Sequence, residues 1–162
     1  GPSEERSAGG KIKKEIAEGD EKRFEFFDQL LKLCNQKTNL FSNVSPVGYQ
    51  SWVIAGAGKA GLGWSFVAFK KKARIELFLC GTAEINKERF NKLLLKKKQI
   101  EKSFGKSLSW EFNSERKQQY IRSNCPLGGI EDEKKWTSIQ NDLVDRMIRL
   151  EKALRPYINE LD

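Results

Sequence analysis

The chain has 162 residues, 38% of them hydrophobic and 32% charged, with a net charge of +8 and no histidine. That size and balance suit one ordinary domain; no signal peptide is visible, and no apolar run approaches the eighteen or more residues of a membrane span. Three scattered cysteines, Cys34, Cys80 and Cys125, with no CxxC pair, argue against a Cys/His zinc site and suit a reducing cytoplasm, while the missing histidine removes Ser-His and Cys-His catalysis.

In chain order, Gly1-Pro2-Ser3 reads as the remnant of tag cleavage. The polar segment 1–19 reads as that remnant plus a flexible linker, which makes a larger parent protein plausible, with residues 20–162 as a single domain. A first helix is predicted from Asp20 to about Asn35, with Phe24, Phe27, Leu30, Leu31 and Cys34 on one face. The Asn-, Ser- and Pro-containing stretch 39–48 is a loop. Three strands follow, at 51–55, 63–69 and 73–79. In the second, Trp64, Phe66 and Ala68 share a face; in the third, Ile75, Leu77 and Leu79 point opposite to Arg74, Glu76 and Phe78. The short connection through Lys70, Lys71 and Lys72 implies antiparallel pairing. A second helix is predicted over Asn86–Phe104, ended by Gly105. Its stripe is Phe90, Leu93, Leu94, Ile100 and Phe104, with the Lys97 stem buried and its amine snorkelling outward. Strands at 107–112 and 119–123 come next. The last helix starts near Glu131, and Pro156 should kink or loosen its final turns. The order α-βββ-α-ββ-α makes an α+β domain: an antiparallel sheet of about five strands with helices packed on it.

Charge is uneven along the chain. Residues 29–75 carry seven basic groups and no acid, residues 76–130 are net +5, and the two ends are net −2 each. A basic middle between mildly acidic ends suggests a polyanionic partner. The glycine stretch "AGAGKAGLGW" (55–64) is the sharpest local feature. Gly56, Gly58 and Gly61 match GxGxxG, but an alternating strand follows where a phosphate-binding helix N-terminus would be needed. Lys59 is followed by Ala60, not by the Ser or Thr of a Walker loop. The stretch therefore reads as a glycine-rich hairpin connection, with Lys59 still able to touch a phosphate.

Glu115-Arg116-Lys117 spells the E-x-K of restriction-type nucleases. A metal there would need a second carboxylate close by, and Asp is absent from residues 29–131. No cofactor or metal is expected. Glu76 reads as one half of an ion pair on the sheet face beside Arg74. Trp110 and Trp136 fit core stripes. Trp52 and Trp64 flank the glycine stretch; core suits both, and either could instead wall a base-stacking pocket. Apolar residues at 143, 147, 150 and 154 in the last helix have the spacing of a helix seam or of a face packed on the domain's own sheet.

The segments "NLFSNVSPVGYQSWVIAGAGKAGLGWSF", "ARIELFL", "NKERFNKLLLKKKQIEKSFGKSLSWEF" and "MIRLEKALRPYINEL" resemble the family known as domain of unknown function 4268, over about residues 20–162. Members of that family commonly sit at the C-terminal end of bacterial and archaeal proteins whose N-terminal half resembles a PD-(D/E)XK restriction-type nuclease. The resemblance implies a companion domain whose catalytic carboxylates lie upstream, and it offers no catalytic residues to carry over. Here "RKQQYIRS" stands where relatives often show a "DDKRASRI"-like run, which weakens any metal role for that loop.

Together these features lead to the expectation of a non-catalytic module that positions a restriction- or defence-type nuclease on nucleic acid, DNA before RNA, mainly through phosphate contacts. The expected contact residues are Lys59, Trp64, Lys70, Lys71, Lys72, Arg74, Arg116, Lys117 and Arg122. The alternative is an assembly module of the same nuclease, homodimeric through the C-terminal helix. An enzyme with an unrecognised carboxylate site is a third possibility.

Overall fold

The alternation in "ARIELFL" sets the centre of the molecule. In the computed structural model, which describes residues 2–162 and the side chains other than those of residues 2–8 and 12, these residues form β3 (Ala73–Leu79). Gly1, and with it the tag-remnant expectation, lies outside the described residues. β3 pairs antiparallel with β2 (Leu62–Ala68) and with β5 (Gln119–Cys125). β1 (Trp52–Gly56) and β4 (Ser109–Glu111) complete a five-stranded antiparallel sheet in the order β1-β2-β3-β5-β4. The α+β architecture is the expected one.

Register puts the even-numbered residues of β2 and the odd-numbered residues of β3 on one face, because successive side chains alternate. Trp64, Phe66, Ile75, Leu77, Leu79 and Ile121 are all fully buried there. Covering them are α1 (Pro2–Lys37), through Phe26, Phe27, Leu30 and Leu31, and α4 (Trp136–Asn159), through Leu143, Met147, Leu150 and Leu154. α2 (Ala83–Leu94) and α3 (Lys97–Phe104) add Phe90, Leu93, Ile100 and Phe104 to the same core. Cys34 and Cys125 are buried free thiols, and burial pushes both up to about 11.

Several expectations need correction. Helix α1 begins at Pro2 rather than Asp20: the stretch read as linker is rich in good helix formers, with Lys11/Glu15 and Lys14/Glu18 four apart. Phe26, not Phe24, is the core residue; Phe24 is exposed. The expected second helix is two helices, interrupted at Leu95 and Lys96. It starts earlier too, because Thr82 Oγ1 accepts from the Ile85 N–H as an N-cap. The break turns Ile100 and Phe104 toward α4 and leaves Leu94, Leu95 and Lys97 exposed, so Lys97 has no buried stem. Pro156 lies inside α4, three residues before its end at Asn159. Of the two readings of the α4 stripe, packing within the domain is the one observed: Leu143, Met147, Leu150 and Leu154 are each 0% exposed.

All four helices lie against one face. On the other, Gly63 sits under the ring of Phe78, and a Cβ at Gly63 would fall 2.1 Å from Phe78 Cζ.

Two outcomes are expected. Leu150→Ala should cost about 2–5 kcal/mol in urea unfolding, with a midpoint independent of protein concentration; a concentration-dependent midpoint would mark the stripe as intermolecular. Gly63→Ala should cost about 1–3 kcal/mol by overpacking, and most of that cost should vanish in a Phe78→Ala background.

Candidate nucleic-acid interface

The uncovered face of the sheet carries charge where a second layer of helices would demand hydrocarbon. Its central row is Ile54, Ser65, Glu76, Arg122 and Ser109, consecutive partners across all five strands. Glu76 is 4% exposed. Its Oε2 accepts from Arg74 Nε at 3.1 Å and from Arg122 Nε at 2.5 Å. Arg122 Nη1 also donates to Glu111 Oε2 at 3.0 Å. Burial alone would lower the Arg122 pKa, but Glu76 and Glu111 outweigh it and the net shift is upward. Its guanidinium lies 3.8 Å from the Tyr120 ring centroid, and that of Arg74 5.2 Å from the ring centroid of Phe69. The expected pair of Glu76 and Arg74 is thus part of a larger network.

Arg74, Glu76 and Arg122 floor a cavity of about 280 Å³, bordered by Trp52, Phe69, Phe78 and Tyr120. A second groove opens beside it, lined by Lys72, Arg74, Glu111, Arg122 and Asn124; Arg74 and Arg122 line both. Trp52 is 42% exposed, because β1 is the edge strand.

The turn Lys70–Lys72 stands at one end of this face. Its backbone is held from both sides. Phe69 N–H donates to Lys72 O, and the carbonyls of Phe69 and Lys70 accept from the N–H groups of Ile130 and Glu131 at 2.9 and 3.0 Å. Gly129 permits that approach: a Cβ there would meet Phe69 O at 2.3 Å. All three lysines are exposed. Lys71 reaches Glu131 at 3.0 Å, which raises its pKa, but such a solvent-exposed pair is worth little.

The glycine stretch lies at the opposite end. Six residues of β2 at roughly 3.4 Å each put the two turns about 20 Å or more apart. Gly58 and Gly61 have φ of 84° and 82°, which is the reason for glycine there. The loop is clasped from outside: Arg155 Nη1 donates to Ala57 O, Arg89 Nη1 to Ala60 O, and Lys59 Nζ to Leu161 O. It is a hairpin connection tied to α2, α4 and the residues after α4.

The predicted contact residues therefore separate into groups. Lys70, Lys71, Lys72, Arg74 and Arg122 are brought together. Lys59 is not among them; its amine is engaged at the far end. Arg116 and Lys117 also lie at that far end, since Gln119 pairs with Leu79 and Leu79 with Leu62. Arg116 is spent within its loop, donating to the carbonyls of Gln118 and Glu111. Lys117 has an exposed side chain, while its carbonyl accepts from the buried Asn86. Trp64 is 0% exposed on the covered face and cannot stack on a ligand; its alternation with Phe66 and Ala68 put it there. Sequence reasoning passed over Phe69, Phe78 and Tyr120 as site residues. The signal existed: strict alternation places Phe78 with Arg74 and Glu76, and Tyr120 with Arg122.

The family model described as Domain of unknown function (DUF4268) matches residues 22–158. No curated protein matches the chain, and no solved structure matches it. The matched span takes in all five strands, α2, α3 and nearly all of α4, together with the part of α1 that packs on them. The chain belongs to this family, Domain of unknown function (DUF4268).

Proposed function

We propose that the domain is a non-catalytic nucleic-acid-binding module that holds a larger protein on its substrate. The observation that carries this reading is the rigid Lys70–Lys72 turn standing beside an uncovered, aromatic- and arginine-bearing sheet face. Lysines on a pinned turn can neutralise successive phosphates and release counterions, which gives affinity with little sequence reading. The adjoining groove, through Lys72, Arg74 and Asn124, extends the polar track across the sheet. DNA is the favoured polymer. The expected setting is the C-terminal part of a cytoplasmic, bacterial or archaeal PD-(D/E)XK-type nuclease with roles in restriction or phage defence; these points rest on resemblance.

A protein-docking role is the second reading. Trp52 and Ile54 on edge strand β1 are 42% and 44% exposed, and an upstream nuclease domain could cover them. The buried α4 stripe gives no support to a helix-mediated homodimer.

Fluorescence polarisation with a labelled 20-mer duplex and its single strand, as DNA and as RNA, separates the two at a series of salt concentrations. Binding should weaken linearly in log–log terms. Exchanging Lys70, Lys71 and Lys72 for alanine should flatten the duplex slope by about 2–3, at about 0.9 for each phosphate left without its lysine. Lys59→Ala should leave it unchanged. No binding, or affinity indifferent to salt, would favour the docking role.

A further inference from the structure

The cavity on the open sheet face is a different kind of site from the lysine turn beside it. Its charged lining is Arg74, Glu76 and Arg122, already joined through one oxygen of Glu76, and Arg122 is further engaged by Glu111 from the neighbouring groove. A phosphate would have to break this network to enter, because both arginines already donate to Glu76. The borders are aromatic: Trp52, Phe78 and Tyr120 offer ring faces or edges to anything flat. The floor can also discriminate. Both side-chain hydrogen bonds to Glu76 fall on Oε2; Oε1 takes no protein donor among the described residues and, not being sealed from solvent, is open to the cavity. A carboxylate oxygen open to the cavity and without a protein donor can accept an N–H from a ligand. At about 280 Å³ the space lies just below the roughly 300–1,000 Å³ of sites for drug-sized molecules. Phe69 lines both this cavity and the cleft that contains Lys70–Lys72, so a ligand with one neutral flat end and one anionic end could reach both.

We propose that this cavity receives the base of a single unstacked nucleotide, stacked on Trp52 and read by Glu76 as an acceptor for an amino group on the base, while the neighbouring phosphates lie on the lysine turn. The inference rests on the nucleic-acid reading given above and names what part of the polymer is read. Carboxylates accept from the cytosine amino group in base readout, and adenine and guanine carry comparable groups. Thymine has no exocyclic amine, and its one ring N–H stands between two carbonyl oxygens that a carboxylate repels. The pocket should therefore prefer single-stranded cytosine, adenine or guanine to thymine. Base–aromatic stacking sets the rest of the affinity.

The test uses the whole chain and labelled 12-mers of dA, dC, dT and a dG-containing mixed sequence, at fixed low salt. The wild type should bind at least one amine-bearing strand about tenfold more tightly than dT12. Trp52→Ala, at an exposed position, should weaken that binding by about tenfold. Glu76→Gln should narrow the preference over dT12, with circular dichroism and the urea midpoint recording whether the sheet persists. If Glu76→Gln unfolds the chain, Ser65→Val beside Glu76 provides the second variant, and it should likewise lower binding of the preferred strand. Equal binding of all the strands, untouched by Trp52→Ala, would overturn the base pocket and leave the phosphate reading intact. Failure to bind any strand or duplex would overturn both.

Discussion

Everything in this molecule follows from covering one face of a five-stranded sheet and leaving the other bare. The covered face is hydrocarbon: Trp64, Phe66, Ile75, Leu77 and Leu79 lie under α1 and α4 with no exposure. Burial of that surface is the main favourable term, at about 25 cal/mol per Å² of apolar area removed from water. β3 sits in the middle, paired on both edges, and α4 rests on it and on β5. Since every strand alternates, satisfying the covered face dictates which residues the bare face receives. Arg74, Glu76, Phe78, Tyr120 and Arg122 are where they are because their neighbours had to point inward.

The bare face then needs a reason for its chemistry. A carboxylate 4% exposed between two arginines costs desolvation that its ion pairs recover only in part, and apolar residues of similar volume would serve stability as well or better. Removing Glu76 would leave Arg74 without its carboxylate partner, whereas Arg122 would keep Glu111. Glycine at 63 beneath the Phe78 ring adds to the pattern, because a glycine in a strand interior weakens the strand unless something must approach closely. The ion network gives up some stability, and Gly63 makes the room that the Phe78 ring needs, so both serve a shaped, polar and aromatic surface. The preorganised lysine turn at its end follows the same logic, with two backbone hydrogen bonds from residues 130 and 131 fixing where its charges stand.

Much of the fold was legible in the sequence, and the manner of the exceptions is informative. Strands are readable where alternation is strict, so β3 falls on the expected residues and the antiparallel turn at Lys70–Lys72 is right. The break between α2 and α3 carries no signal: Leu95-Lys96-Lys97-Lys98 contains no glycine or proline, and only packing of α3 on α4 requires it. Phe24 and Phe26 differ by two positions, and periodicity alone does not choose between them when Phe27 is buried beside either. Pro156 is tolerated inside α4 because one lost hydrogen bond in an exposed part of the last turns is cheap beside the burial of Ile158 and Leu161.

The site was legible in a different way. Net charge along the chain located the basic region but could not locate it in space, because Lys59 and Lys70 are eleven residues apart and occupy opposite ends of a hairpin. Charge counting also treats every arginine alike, whereas Arg89, Arg116 and Arg155 are spent as donors to backbone carbonyls that would otherwise go unsatisfied. A glycine-rich loop exposes such carbonyls, so it recruits arginines to close it. That accounts for the basic residues around the loop, and it is why the glycine stretch, the most conspicuous motif in the chain, is a clasp at one end of the sheet while the surface proposed to bind nucleic acid lies across the strands.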